Sequence, residues 1–448
     1  MPLAPARSAA RLCLALTLAW AVPTVRAEIR YRGYVPTFPA PAPAMGVPPE
    51  GAPGTWLGGD GSFCCPLDAT RSFWTFCDAG IGRPGAKDRE GSIGIGNTIA
   101  IATCKDGRFA VEHYFKGSPD RPSPFFPDPE NPANREAGTR FWPRKSVLHN
   151  GHLYLFAHQV ADPGSVVYNT KLIRVRNPLD PPSRWDYDIL ALGVNLIGKG
   201  AGGEEILPHP APIHFGNEAF LDVAGNYLYT YGVIVSQKSP EDYFATFQAT
   251  ALRIPLDRLE AAPGFADLGR FSEFLSKEPG VWKPGLYEPG DYHKVDIPAV
   301  LAFSVRYNET LKAWQVVFAY DRAIAQNLWR QLRPDDPKPR SAYIMTGPGP
   351  YGPWGEPRLL ARFPEMDPEF ADHPDRGYDA DNFCYALAEQ PAFEAWDGDV
   401  IFTYSSGSIG QARDKANTRL HTDMKAYRAY AWPAAHPWFG PLPMPTKP

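Results

Sequence analysis

Residues 59–78 read GDGSFCCPLDATRSFWTFCD, in which a short strand, a polar turn at residues 68–70 and a second, aromatic strand follow one another. Strand-forming runs joined by a turn of small polar residues are typical of a β-hairpin. The chain repeats this design four more times. The copies are FWPRKSVLHNGHLYLFAHQ at 141–159, HFGNEAFLDVAGNYLYTYGVI at 214–234, VLAFSVRYNETLKAWQVVFAY at 300–320 and NFCYALAEQPAFEAWDGDVIFTYSS at 382–406.

The five hairpins are evenly spaced. They start near residues 58, 141, 214, 300 and 382, so successive copies lie 83, 73, 86 and 82 residues apart. Short strands between them bring each unit to about four strands. Four-stranded units repeated around an axis form a propeller, so the sequence predicts an all-β, five-bladed β-propeller. A β-sandwich or two small all-β domains would contain the hairpins but would not explain their spacing.

The two ends of the predicted domain follow from composition. Two arginines, an apolar run over residues 12–22 and the triplet Val-Arg-Ala at 25–27 are typical of a secretory signal, so we expect cleavage after residue 27. The apolar run is shorter than the ~20 residues that span a bilayer, which predicts no membrane span after the signal is removed. Residues 28–55 are Pro-rich and predict an extended surface leader. Residues 56–448 then form a single domain, secreted or periplasmic.

Charge and composition restrict the partners. The chain has 45 basic and 49 acidic residues, a formal charge of −4, which provides no basic field for nucleic acid or anionic lipid. Aromatic residues at 13% and 50 prolines are consistent with strands and loops. We therefore expect a monomer whose partner is neither nucleic acid nor membrane.

Five cysteines remain after the signal, namely Cys64, Cys65, Cys77, Cys104 and Cys384. The first four lie within 41 residues of each other, and an exported protein folds in an oxidising compartment, so the sequence predicts at least one disulfide among them. The chain contains neither a C-x-x-C pair nor an H-E-x-x-H motif, and no metal or other cofactor is predicted. Asp379 and Asp381 carry oxygen ligands that suit calcium, but a polar turn is the commoner outcome.

Two acids frame the first hairpin. Asp60 and Asp78 each lie nine residues from the turn centre at residue 69, so a symmetric hairpin places them opposite each other. Opposed side chains have Cβ atoms ~4.5–5.5 Å apart, where like charges are destabilising. Retaining glycosidases use two carboxylates at such a separation, and proximity keeps one of them protonated as the acid. The alternative is a turn residue and a strand-end cap.

The same region resembles a bacterial five-bladed propeller family, formerly of unknown function and later identified as endo-D-arabinanases. The resemblance rests first on WLGGDG at 56–61, FWTFCDAGIG at 73–82 and NTIAIA at 97–102, and it continues to about residue 406. Its later motifs are FWP at 141–143, GHLYLF at 151–156, HFGN at 214–217, YLYTYG at 227–232, LRIPL at 252–256 and GPW at 352–354. The resemblance implies a secreted enzyme that cleaves a furanose-containing polysaccharide, with Asp60 and Asp78 as the catalytic pair. This chain departs from the family at Cys77, where the family has Gly.

Further residues are candidates for substrate binding. Asn97 can bond a sugar hydroxyl or cap a turn, and Trp142 can offer an apolar face to a sugar ring or belong to the core. His214, Asn217 and Glu218 open the third unit, where related furanosidase propellers place an acid, so Glu218 is either a third carboxylate or a solvated strand residue.

The leading hypothesis is therefore a glycoside hydrolase that acts on a D-arabinan-like polysaccharide or a cell-envelope glycan. A non-catalytic carbohydrate-binding or envelope-associated propeller, and a propeller that binds protein, remain alternatives, since fold alone does not determine function.

Overall fold

The architecture is all-β and propeller-like: strands follow one another in sequence-ordered, mainly antiparallel sheets. The computed structural model of the chain describes residues 29–47, 52–131, 139–161, 166–192, 198–199, 205–206, 213–234, 248–264, 268–278, 280–285, 291–297, 302–319, 341–372, 382–393, 400–408, 424 and 427–434. The predicted signal peptide lies outside the described residues. No helix in the described part of the chain has the length and hydropathy of a membrane span.

The first sheet contains seven strands, which are β1 (Ala42–Val47), β2 (Gly54–Trp56), β3 (Asp60–Pro66), β4 (Arg71–Gly82), β5 (Ile93–Lys105), β6 (Arg108–Ser118) and β7 (Arg121–Ser123). The second contains β8 (Thr139–His149), β9 (His152–Ala161), β10 (Val166–Val175) and β11 (Tyr187–Ala191). A two-stranded sheet of β12 (Gly198–Lys199) and β13 (Glu205–Ile206) follows.

The third large sheet contains β14 (Ile213–Asp222), β15 (Tyr227–Ile234), β16 (Gln248–Pro255), β17 (Glu273–Leu275) and β18 (Trp282–Pro284). The fourth contains β19 (Phe303–Asn308), β20 (Ala313–Ala319), β21 (Ser341–Gly347) and β22 (Arg358–Arg362). The fifth contains β23 (Asn382–Glu389), β24 (Val400–Ser408) and β25 (Arg428–Ala434). The described helical segments are α1 (Leu256–Ala261) and the 3-10 turns Pro182–Arg184, Leu268–Arg270, Pro368–Phe370 and Pro391–Phe393.

One strand of each large sheet lies against its counterparts in the neighbouring sheets. These inner strands are β3, β8, β14, β19 and β23: each contacts the next in this order, and β23 contacts β3. Each inner strand begins within three residues of the hairpin start that was predicted from the sequence. The ends of the five hairpins therefore meet in one central region.

Apolar clusters fill the junctions between neighbouring sheets. Trp74 and Phe76 of the first sheet pack in one cluster with Phe393, Ile401 and residue 429 of the last, so the two ends of the chain share a core. Fully burying one large apolar side chain contributes ~1.5–3 kcal/mol. The first and last sheets therefore share a packed apolar junction.

The prediction of a surface leader over residues 28–55 is wrong. Tyr31 and Phe38 are buried in the cluster that joins the first and last sheets, and β1 pairs in parallel with β6 and antiparallel with β2. Proline is compatible with the beginning of a strand, and Pro43 lies at the second position of β1, before the parallel pairing starts at Ala44. The domain therefore begins before residue 56.

The predicted disulfide is also wrong, because all five cysteines of the described residues are free and buried. Cys64 and Cys65 are successive residues of a strand, so their side chains point to opposite faces. The thiols hydrogen-bond to other groups: Cys64 donates to Oε1 of Gln390 at 2.9 Å and Cys77 to the carbonyl of Pro143 at 3.4 Å. Closeness in sequence did not bring the sulfur atoms into pairs.

Candidate active site

Interruptions in the inner strands redirect polar side chains. Four of the five inner strands shift register, between Asp60 and Phe63, Pro143 and Ser146, Phe215 and Glu218, and Tyr385 and Ala388. A β-bulge bends a strand and re-aims its side chains, and bulges are over-represented beside active sites. Gly61 and Gly216 permit two of these shifts, because their φ angles of +65° and +95° favour glycine.

The first of these bulges corrects the predicted position of Asp60. Phe63 faces Thr75 as the symmetric hairpin predicts, but the bulge places Asp60 opposite Cys77 and not opposite Asp78. Asp78 itself has a left-handed φ of +36°, which interrupts the alternation of side chains along β4. The two acids still lie close enough for the negative charge of Asp78 to raise the pKa of Asp60.

Asp60 is a half-buried carboxyl with two phenol partners. The hydroxyl of Tyr385 donates to its Oδ2 at 2.5 Å, and Tyr427 also hydrogen-bonds to it. Burial and the charge of Asp78 raise the pKa of Asp60 to about 7, against the opposing effects of the two tyrosines and of Arg144. Asp60 can therefore hold or release a proton near neutral pH, as a general acid must.

Asp78 has a different environment. Its Oδ1 accepts hydrogen bonds from Nε1 of Trp142 at 2.9 Å and from Nε of Arg140 at 3.2 Å, and about a third of its side chain is exposed. A neighbouring guanidinium favours the ionised form of a carboxyl group. The pair therefore combines a carboxyl that titrates near neutrality with a second carboxyl held beside a cation.

Three of the seven non-glycine residues with a left-handed φ in the described part of the chain lie at these groups. Asp78, Ala386 and Tyr427 have φ angles of +36°, +54° and +55°, in the left-handed region that side chains rarely adopt. Such residues cost on the order of 1–3 kcal/mol each and cluster at functional sites. All three neighbour the acid pair, since Ala386 follows Tyr385 directly in the bulge of β23.

The bulge of β8 contributes two cations. Arg144 donates to Oδ1 of Asn217 and lies 4.9 Å from the ring centre of Phe63. Its charge lowers the pKa of Asp60. Lys145 lies 3.6 Å from Oε2 of Glu218, and both side chains are almost fully buried. These cations offset the charge of the acids at the ends of the inner strands.

Glu218 is buried, which corrects the alternative of a solvated strand residue. Its carboxylate pairs with Lys145 and accepts the backbone N–H groups of Ala219 at 2.8 Å and Val305 at 3.2 Å. Burial raises its pKa, while Lys145 and these hydrogen bonds oppose the rise. These contacts connect β14 with β8 and β19.

The other predicted binding residues divide into two groups. Trp142 contacts Asp78 directly, and Asn217 contacts Arg144, so both belong to the site. His214 is buried, and its ring lies 5.7 Å from that of His158. Asn97 has no exposed surface, and its amide bonds to the backbone of Phe126 and Phe141. A sugar cannot reach Asn97, which supports its structural alternative.

Sequence reasoning missed Tyr385, Tyr427, Arg140, Arg144 and Lys145. Two adjacent basic residues between the apolar runs Phe141–Pro143 and Val147–Leu148 are a signal that could have identified Arg144 and Lys145. The tyrosines carry no local signal, because Tyr385 lies 325 and Tyr427 349 positions from the acids whose groups they bond.

No group of three or more His, Cys, Asp or Glu side chains that could hold a metal occurs among the described residues. Asp379 and Asp381, the weaker calcium candidates, lie outside them.

No protein-family model matches the chain, and no curated protein matches it by sequence. A Bacteroides ovatus protein, provisionally described as a hydrolase, superposes with a TM-score of 0.55 at 14% identity, over 91% of this chain and 97% of that one. This similarity shows a shared fold. The resemblance to endo-D-arabinanases stays a prediction.

Two glycoside hydrolase structures superpose less closely. A family 43 arabinoxylan arabinofuranohydrolase from Bacillus subtilis has a TM-score of 0.40 at 12% identity, over 80% of this chain and 61% of that one. An exo-1,5-α-L-arabinanase from a bovine ruminal metagenomic library has a TM-score of 0.38 at 10% identity, over 79% and 89%. TM-scores this low do not show that this chain shares the activity of either enzyme.

Proposed function

We propose that the protein is a glycoside hydrolase that cleaves a furanose-containing polysaccharide with Asp60 and Asp78. The observation that carries this proposal is the contrast between two neighbouring carboxyl groups: the pKa of Asp60 is raised to about 7, whereas Asp78 accepts hydrogen bonds from Trp142 and Arg140. Different environments for two nearby carboxyls are the basis of acid and base assignment in glycosidases.

In the first step Asp60 donates its proton to the oxygen of the leaving sugar as the glycosidic C–O bond breaks. The carboxylate of Asp78 forms a bond to the anomeric carbon, which yields a glycosyl-enzyme. Water then attacks that carbon, its proton passes to Asp60, and Asp78 leaves as a carboxylate. Trp142 and Arg140 hold Oδ1 of Asp78 throughout, which orients the attacking group.

We infer a five-bladed propeller for the scaffold. The ring of five inner strands and the apolar clusters at the sheet junctions support this count, with the fifth blade closing against the first. A site at the meeting point of inner strands suits a polymer, because the loops around it come from several blades.

D-arabinan is the proposed substrate class, supported by the motif resemblance around both acids. Secretion or a periplasmic location is proposed with it, supported by the signal-like first 27 residues. A polysaccharide outside the cytoplasm is accessible only to an exported enzyme.

The test is a screen of the purified protein against D-arabinans, L-arabinans, fructans and galactans, with sizing of the products. We expect shorter oligosaccharides from at least the D-arabinan. Asp60→Asn and Asp78→Asn serve as matched inactive controls. Binding to a polysaccharide without cleavage would contradict the proposal and favour the non-catalytic carbohydrate-binding alternative.

A further inference from the structure

A buried arginine ties the last sheet to the first. Arg89 lies between β4 and β5 with only 6% of its surface exposed. Its Nε donates to the carbonyl of Leu57 at 2.9 Å, and its Nη2 donates to the carbonyl of Tyr427 at 2.9 Å, 338 positions away in sequence. One guanidinium therefore bridges the two ends of the domain.

The backbone beside this bridge has space only for glycine. Gly58 has a φ of +128°, and a Cβ there would lie 2.6 Å from the carbonyl oxygen of Tyr427 and 2.9 Å from Nη2 of Arg89. The Leu57–Gly58 segment is in turn hydrogen-bonded to Gly80, two residues after Asp78. The bridge is thus anchored on the strand that carries one of the acids.

The other end of Tyr427 reaches the acid pair. Its hydroxyl lies 2.9 Å from the backbone carbonyl oxygen of Asp78 and also hydrogen-bonds to the carboxyl of Asp60, so its single hydrogen is shared between these two acceptors. Tyr427 holds a left-handed φ of +55°, which costs free energy unless its surroundings impose it. The bonds from Arg89 to the Tyr427 carbonyl and from the phenol to Asp78 hold this residue at both ends.

We propose that Arg89 is a positioning residue that acts through Tyr427. By holding the Tyr427 backbone against Leu57 and Gly58, Arg89 sets the phenol between Asp60 and Asp78. The catalytic pair is therefore completed only when the last sheet closes on the first. This inference rests on the proposed function and deepens it. Arginine suits the role because its planar fork can donate to two separate carbonyls, whereas the ammonium of lysine is a single point charge.

The first test is a double-mutant cycle with Arg89→Lys and Tyr427→Phe on the substrate found in the screen. Each single variant should lower kcat by roughly tenfold or more, because charge-assisted hydrogen bonds are among the strong ones, with KM changed much less. If Arg89 acts through the phenol, the double variant should be no slower than Tyr427→Phe within a factor of about two. Arg83→Lys is the matched control, since this arginine lies near the same loop but in an exposed ion pair with Asp120.

Two kinetic outcomes would overturn the inference: losses that multiply in the double variant, or a wild-type kcat in Arg89→Lys. Circular dichroism and the thermal midpoint verify folding, and Arg89→Gln provides a second, neutral variant should Arg89→Lys not fold.

The second test does not depend on activity. In protein labelled with 13C at the Asp carboxyl carbons, the Asp60 signal is the one lost in Asp60→Asn, and its pKa is read by titration from pH 4 to 9. Removing the phenol donor in Tyr427→Phe, or displacing it in Arg89→Lys, should raise the pKa of Asp60 by about one unit, with no change in Arg83→Lys. The other titratable or charged groups that face Asp60 stay in place in these variants: Asp78, Cys77, Arg144 and Tyr385.

An unchanged pKa of Asp60 in both Arg89→Lys and Tyr427→Phe would overturn the inference even if the enzyme is active. A wild-type protein that cleaves no polysaccharide would overturn the proposed function, while the titration would still decide whether Arg89 positions Tyr427.

Discussion

Replacing Asp60 by Asn should change how the stability of the protein depends on pH. Burial and the charge of Asp78 raise the pKa of Asp60 to about 7 in the folded protein, whereas an unfolded Asp titrates near 3.9. The folded state therefore binds the proton more tightly than the unfolded state. The resulting stabilisation is full below pH ~4 and is lost as the pH rises through 7. Asn carries no such proton.

The magnitude follows from the two pKa values. One pKa unit corresponds to 1.36 kcal/mol, so a difference of about three units is worth ~4 kcal/mol in total, of which ~2.5 kcal/mol is lost between pH 5 and pH 8. For a domain of this length that corresponds to ~3 °C in the melting temperature. Asp60→Asn should therefore gain about that much relative to wild type between pH 5 and pH 8.

The assay is thermal unfolding of wild type and Asp60→Asn in matched buffers from pH 5 to pH 8. Burial lowers the pKa of His113 to about 3 and that of His158 well below its usual value, so both histidines cost stability as the pH falls, but they do so equally in the two proteins. Asp120→Asn, an exposed acid, is the matched control and should follow wild type. Parallel curves for wild type and Asp60→Asn would refute the reasoning.

Four further outcomes are expected. Asp60→Asn and Asp78→Asn should each lower kcat by several orders of magnitude while the circular dichroism spectrum is unchanged, and wild-type rates in either variant would exclude the carboxylate pair. Proton NMR of the first product should show retention of the anomeric configuration, because Asp78 lies close enough for its charge to raise the pKa of Asp60; inversion would require a wider separation. Thiol titration of denatured, unreduced protein lacking residues 1–27 should find five free thiols, and a lower count would reveal a disulfide. Asn97→Ala should destabilise the fold by at least ~2 kcal/mol in denaturant unfolding with kcat unchanged, because three buried backbone groups lose their partner; a lower kcat at unchanged stability would instead place Asn97 at the substrate.

The strand pattern was readable from the sequence because it depends on local chemistry. Alternating apolar residues and polar turns act over a few positions, and they predicted the all-β class and the starts of the inner strands. The local hairpin geometry also brought Asp60 and Asp78 to one end of paired strands. The predicted register was wrong by one residue at Asp60, because the formation of a bulge at Gly61 depends on the packing of the surrounding strands.

Composition alone was a poor guide where the tertiary structure supplied partners. Prolines near residue 41 predicted a leader, yet β1 pairs on both sides because β2 and β6 present free edges to it. Cysteines crowded in sequence predicted a disulfide, yet strand alternation and separate acceptors keep Cys64 and Cys77 apart.

The sequence by itself therefore determined the all-β class and brought Asp60 and Asp78 close together, because periodicity, turns and hairpin register are short-range properties of the chain. Only the tertiary structure decided their chemistry. The phenols of Tyr385 and Tyr427 reach Asp60 and Asp78 from more than 300 positions away, and burial sets the pKa of Asp60. Contacts of this kind exist only once the last sheet has closed against the first, and no local pattern encodes that closure.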